Sequence, residues 1–363
     1  MKVENIAYAC VTRFVEKGLG DRNALLWVEN DLTRKSFPFE YFERESNRAA
    51  AVLQQLGIKA GDTVSIFLPR SVNLINAFFG ILKLQAVTSI LFGTLGEDGL
   101  LDRLSNSEAQ IIITRKSLLR KILSIKERLP ALDKILVIDI EEHRDDSVLS
   151  FSKLLAETDT RFDYPHTVDS ETPALLQYTS GSTGKPKGAL HVHGALEDMR
   201  QSFRDIMQLE ENDLYWCTAD PAWITGIVYG VIAPFSTGTI QLQYNGTYNA
   251  DNWLKILQNH KVNVWYTAPT ALRMLMQEEE NLFTSHDFSS LKRMYSVGEP
   301  LNPEIYHWGK KVFGVEIYDT WWQSETGSMM IGNHPPMQVK PGSMRSEERR
   351  VGKECRCRLA PEH

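Results

Sequence analysis

From Thr179 to Gly188 the chain reads Thr-Ser-Gly-Ser-Thr-Gly-Lys-Pro-Lys-Gly, three glycines, four hydroxyl side chains and two lysines in ten residues. Gly181, Gly184 and Gly188 let main-chain N–H groups turn toward a bound anion. Thr179, Ser180, Ser182 and Thr183 donate further hydrogen bonds, and Lys185 and Lys187 add point charge. The set suits a polyphosphate. Two better-known phosphate motifs are excluded. A P-loop needs glycine at Thr179 and a hydroxyl residue at Pro186, and a dinucleotide fingerprint needs a glycine partner that Thr179 does not supply. The plain alternative is a surface loop without ligand.

Such a loop needs a rigid support, and Leu175-Leu-Gln-Tyr178 directly before it reads as a buried strand. The same β-rich character recurs at 64–68, 110–114, 134–138, 239–244, 263–267, 294–297 and 316–318. Amphipathic stretches of helical period lie between these runs, at 71–84, 117–128, 251–260 and 269–277. Strand and helix in alternation predict parallel sheets with helices on both faces, a layered, doubly wound α/β protein whose functional loops sit at the carboxyl ends of strands.

The 363 residues are enough for two or three compact units, and 42% apolar with 24% charged residues is a globular composition. Forty basic against 46 acidic residues leave a net charge of −6, which supplies no footprint for nucleic acid or an anionic membrane. Four scattered cysteines do not make a disulfide framework, and the start, with Glu4, has no secretory core. The longest apolar stretch, 72–92, is interrupted by Asn73, Asn76, Lys83 and Gln85, so no membrane span is expected and the setting reads as cytoplasmic. Residues 1–344 read as one domain region. Residues 345–363 are dense in charge without apolar periodicity and read as a solvated or foreign tail; Cys355 and Cys357 lack the partners a metal site needs.

Tyr178-Thr-Ser-Gly-Ser-Thr-Gly-Lys-Pro-Lys-Gly188 resembles the phosphate-loop signature of the adenylate-forming superfamily, which holds acyl-CoA synthetases, peptide-synthetase adenylation domains and luciferases. Leu190-His-Val-His-Gly194, Ala219-Asp-Pro-Ala-Trp-Ile-Thr-Gly226, Tyr295-Ser-Val-Gly-Glu-Pro300 and Tyr318-Asp-Thr-Trp-Trp-Gln-Ser-Glu-Thr-Gly327 follow in the order and approximate spacing of the AMP-forming acetate–CoA ligases, over residues 5 to 344. The resemblance implies a large α/β domain of doubly wound sheets and a two-step ligase. In that reaction a carboxylate attacks the α-phosphate of Mg-ATP, pyrophosphate leaves, and the coenzyme A thiolate displaces AMP. It also implies that the 179–188 loop closes over the β- and γ-phosphates and that Glu325 lies near magnesium, where a hard cation prefers oxygen. Gly298, Glu299 and Pro300 are implied along the adenine, with Asp319, Thr320, Trp321, Trp322, Gln323 and Ser324 flanking adenine and α-phosphate. Read alone, Gly-Glu-Pro is an ordinary turn and Glu325 a solvated acid.

By the same resemblance Ile224, Thr225, Val297 and Trp322 form the acyl pocket, and Thr225 and Asn249 approach coenzyme A. An indole at the pocket's end leaves room for a methyl or ethyl tail, since apolar slots discriminate by about 1–3 kcal/mol per methylene. Acetate is the expected acid and propionate or another short-chain acid the alternative; the plain reading of the Trp pair is core packing. The family's smaller C-terminal domain, which supplies a catalytic lysine, has no counterpart after Met344, and the N-terminus looks shortened. The expectation is therefore a fragment that binds nucleotide and adenylates poorly, with a nucleotide-binding module that never catalyses as the rival class.

Overall fold

The structure, a computed structural model, describes residues 1–179 and 186–344. Its strands, in chain order, begin with β1 (Lys2–Glu4), β2 (Asn23–Val28), β3 (Arg34–Pro38), β4 (Thr63–Phe67), β5 (Val87–Ile90), β6 (Ile111–Thr114), β7 (Lys134–Val137), β8 (Val148–Ser150) and β9 (Thr167–Asp169). They continue with β10 (Pro173–Thr179), β11 (Lys187–Val192), β12 (Leu214–Cys217), β13 (Ile240–Tyr244), β14 (Val264–Thr267), β15 (Arg293–Ser296), β16 (Ile317–Trp321) and β17 (Ile331–Gly332). A seven-stranded sheet runs β11-β10-β5-β4-β6-β7-β8, parallel except for the β10–β11 hairpin at its edge. An eight-stranded sheet runs β17-β16-β15-β14-β12-β13-β2-β3, parallel through its centre and antiparallel at both ends. This is the doubly wound α/β architecture that the alternation predicts.

Period-two alternation deals the side chains of each strand to two cores. Val64, Ile66, Ile111 and Ile113 of the first sheet and Tyr215, Cys217, Val264 and Tyr266 of the second share one core. Helices Phe39–Gln55, Val72–Lys83 and Leu196–Met207 supply that core too. Trp216, Leu242, Trp265 and Met294 face a second core with helices Ala250–Asn259, Pro269–Met276 and Pro303–Phe313; Phe67, Ile112, Ile135 and Val137 face a third. A helical layer thus lies between the sheets, and Val72–Lys83, covered on both sides, is buried from Leu74 to Lys83. That is why 72–92 is so apolar. Among the described residues no helix is long and apolar enough to cross a membrane.

Candidate active site

The carboxyl ends of the central strands converge where the sheets meet. Thr218 follows β12, Tyr244 ends β13, Thr267 ends β14 and Val297 follows β15. From the other sheet, Arg70 in the loop after β4 reaches across, its guanidinium donating to the Tyr244 carbonyl at 2.9 Å and the Thr218 carbonyl at 2.8 Å. Gln177 on β10 makes a second tie, donating from Nε2 to the Ala222 carbonyl at 2.8 Å.

Between these ends lies a cavity of about 570 Å³, within the range of small-molecule sites. Ile224, Thr225 and Val297, assigned to the acyl pocket, line it, and Gly298 and Glu299 stand on its rim. Trp223 is 60% exposed and meets Phe92 ring to ring at 4.9 Å. The segment carrying these residues folds back tightly: a Cβ on Gly226 would stand 1.9 Å from the Asp220 carbonyl oxygen, so the last residue of that motif is glycine for want of space. Gly298 has φ +90°, the left-handed turn that lifts the 298–300 loop off β15. Glu299 accepts from the Thr270 hydroxyl at 2.8 Å and lies 3.9 Å from Arg273, while Pro300 is exposed.

The residues of β16 and of the turn after it differ in their freedom. Asp319 is 4% exposed; its Oδ1 accepts from the Ser296 hydroxyl and from the Thr320 N–H at 3.1 Å. Burial raises its pKa, against hydrogen bonds from Ser296, Leu301 and Thr320 that pull it down. The Thr320 hydroxyl donates to the Ser296 carbonyl at 2.8 Å, so in its 2.8 Å contact with Tyr266 it is the tyrosine that donates. Asp319 and Thr320 therefore brace the strand ends. Trp321, Gln323 and Glu325 are exposed, with Trp322 and Ser324 half-buried. Trp322 does not line the cavity: its indole stands edge to face on Tyr229 at 5.0 Å, and Tyr229 on the cavity residue Tyr266 at 6.1 Å. Asn249 is likewise turned away, since its side chain caps helix Ala250–Asn259 by accepting from Asn252 N–H at 2.9 Å.

Thr179 and Lys187 face one another across the β10–β11 hairpin, the Thr179 hydroxyl donating to the Lys187 carbonyl at 3.5 Å, with the lysine exposed. Ser180, Ser182, Thr183 and Lys185 lie outside the described residues. Among those described, no cluster of three His, Cys, Asp or Glu could hold a metal, whereas the Glu325 carboxylate is exposed and takes no hydrogen bond there. One open carboxylate with substrate phosphates as the remaining ligands is how Mg²⁺ is usually held, so the residues fit that ion.

Sequence reasoning missed Arg70, Tyr248, Trp253, Tyr266 and Thr267 of the cavity wall. Arg70, Tyr266 and Thr267 did carry a signal, each standing at the carboxyl end of a run read as a strand. Tyr248 and Trp253 carried none.

The sequence profile of the AMP-binding enzyme family matches residues 13–356. The chain is 41% identical over 341 residues to the acetyl-coenzyme A synthetase of Bacillus subtilis, covering 94% of this chain and 59% of that protein. It is 35% identical to the acetyl-coenzyme A synthetase of Deinococcus radiodurans, with 93% and 56% covered. A crystal structure of an acyl-CoA synthetase from Brucella canis superposes with a TM-score of 0.85 at 25% identity, over 94% of this chain and 60% of that one. The chain thus spans somewhat more than half the length of the relatives it matches.

Proposed function

Because this chain belongs to the AMP-binding enzyme family, we propose that it is the nucleotide- and acid-binding part of an acetate–CoA ligase. Acetate attacks the α-phosphate of ATP, pyrophosphate leaves, and the thiolate of coenzyme A then displaces AMP from acetyl-adenylate. The observation that carries the reading is the cavity in which Ile224, Thr225 and Val297 meet the Gly298-Glu299 rim, at the carboxyl ends of parallel strands. The 41% identity to an acetyl-coenzyme A synthetase supports the choice of acid.

The chemistry suits these residues. Negative charge grows on the α-phosphate and on the departing pyrophosphate, so fixed donors matter most. Lys187 brings an exposed ammonium to the base of the phosphate loop, and the Thr179 hydroxyl flanks it. Glu325 would hold Mg²⁺, whose contribution when bound is to neutralise charge on the phosphates. Adenine lies along residues 298–300, acetate against Ile224, Thr225 and Val297, and Trp322 narrows the acid slot from behind Tyr229. A cavity of about 570 Å³ far exceeds acetate, which suits a space shared with the thiol arm of coenzyme A beside Thr225. A cytoplasmic setting would supply both ATP and coenzyme A.

Two measurements test the reading. ATP should protect residues 178–188 from hydrogen exchange, and acetate should drive exchange of labelled pyrophosphate into ATP when these residues are carried in a protein of the relatives' full length, with little or no signal from the 363 residues alone. Protection without acetate-dependent exchange in either form leaves a nucleotide-binding module that does not activate acid. No protection in the folded protein removes the nucleotide site altogether.

A further inference from the structure

His191 sits on β11, four residues after Lys187, on the strand that returns from the phosphate loop. It is 7% exposed, and its Nε2 is buried with no hydrogen-bond partner among the described residues. A buried ring nitrogen without a partner costs stability that leucine of similar size would avoid, so the residue calls for an explanation other than packing. The ring lies against the 324–327 turn: a Cβ on Gly327 would stand 2.7 Å from Nδ1 and 2.8 Å from Cε1. Gly327 also has φ +68°, so glycine is required both by the backbone and by the ring beside it. Burial lowers the pKa of His191, while the Ser324 main chain and the Glu325 charge pull it up, which puts both within electrostatic reach of the imidazole. β11 is the edge of the seven-stranded sheet, and the turn follows β16 of the eight-stranded one, so this contact joins the two sheets.

We infer that His191 is a positioning residue: its ring fixes the 324–327 turn, and with it the Glu325 carboxylate, against the hairpin that carries the phosphate loop. The inference rests on the nucleotide-binding reading above and concerns how that site keeps its metal-side carboxylate in register. His191 acts through Glu325 and touches no substrate. A planar ring with two torsions makes a stiff strut, and the left-handed glycine lets the turn close onto it.

The test compares two ligands that differ in their need for Glu325. Isothermal titration gives the Kd of Mg-ATP and of metal-free AMP for the unsubstituted protein and for His191→Ala, His191→Asn and Gly327→Ala, with unfolding midpoints measured alongside. His191→Ala should weaken Mg-ATP tenfold or more and leave AMP within twofold. His191→Asn, which keeps a planar polar group near the Nδ1 position, should recover much of the loss. Gly327→Ala should reproduce the loss with His191 in place, because its methyl group must displace the ring or the turn. Parallel losses for both ligands, or no loss for either in folded His191→Ala, overturn the inference. If His191→Ala does not fold, Gly327→Ala decides by the same comparison. An unsubstituted protein that binds neither ligand overturns the proposed function first, and this inference with it.

Discussion

Trp322 reaches the cavity through Tyr266, which its indole approaches directly, and through Tyr229, which stands 5.0 Å from the indole and 6.1 Å from Tyr266. Deleting the indole lets Tyr229 fall back and Tyr266 follow, which lengthens the acid slot. Trp322→Gly should raise kcat/KM for propionate over acetate about tenfold, the scale set by one methylene in an apolar slot. Competition between the two acids measures it, and an unchanged ratio would confine Trp322 to the core. Gly226 is decided by contact instead: with the Asp220 carbonyl 1.9 Å from any added Cβ, Gly226→Ala must push apart the loop that carries Ile224 and Thr225. Overpacking of this kind costs about 1–3 kcal/mol. Chemical denaturation should show that loss, and full stability in the variant would mean that the loop opens freely.

Strands buried on both faces were legible as short apolar runs: 64–68, 110–114, 134–138 and 263–267 fall on β4, β6, β7 and β14 with shifts of about one residue. β11 was not, because an edge strand with Lys187 and Gly188 at its start carries no such run. The N-terminal segment was equally silent, yet it is tied down by named contacts. Asn5 donates to the Leu82 carbonyl at 2.9 Å, and Ile6 N–H donates to His193 Nδ1 at 3.0 Å. A proton on Nδ1 would break that second bond inside the protein, and burial pushes the His193 pKa down to about 4. The unfolded chain takes up a proton near pH 6.5 that the folded chain refuses until about 4, so stability is lost as pH falls through that window, by up to about 3 kcal/mol. His191 and His260 are shifted the same way, so the test is a comparison. Urea midpoints between pH 6.5 and 4 should fall more steeply for the parent than for His193→Asn, which keeps an acceptor for Ile6 but cannot titrate. Equal slopes would exclude His193 as the titrating group.

At the scale of the whole molecule the site is an agreement between two sheets. Residues carried by two continuous motifs, Ile224 and Thr225 in one and Val297, Gly298 and Glu299 in the other, were legible because each motif brings its own chemistry. Tyr248 and Trp253 were not, because the loop and helix after β13 that carry them hold no motif, and Arg70 was legible only as a residue just past a strand, since the crossing of the sheets is what carries it to the same cavity. Arg70 shows what that crossing requires. Its two hydrogen bonds satisfy carbonyls at the ends of β12 and β13 from a loop of the other sheet, and lysine, with one compact ammonium, cannot hold both as a planar guanidinium does. Arg70→Met leaves both carbonyls without their donor at about 1–3 kcal/mol each, so the protein should lose at least about 2 kcal/mol of stability. Arg70→Lys should recover part of it. Hydrogen exchange should rise at residues 218–220 and 244–246, where the strand ends lose their clamp, before it rises in β4 or β6. A methionine variant as stable as its parent, with unchanged exchange at those ends, would mean that the sheets hold their register without Arg70.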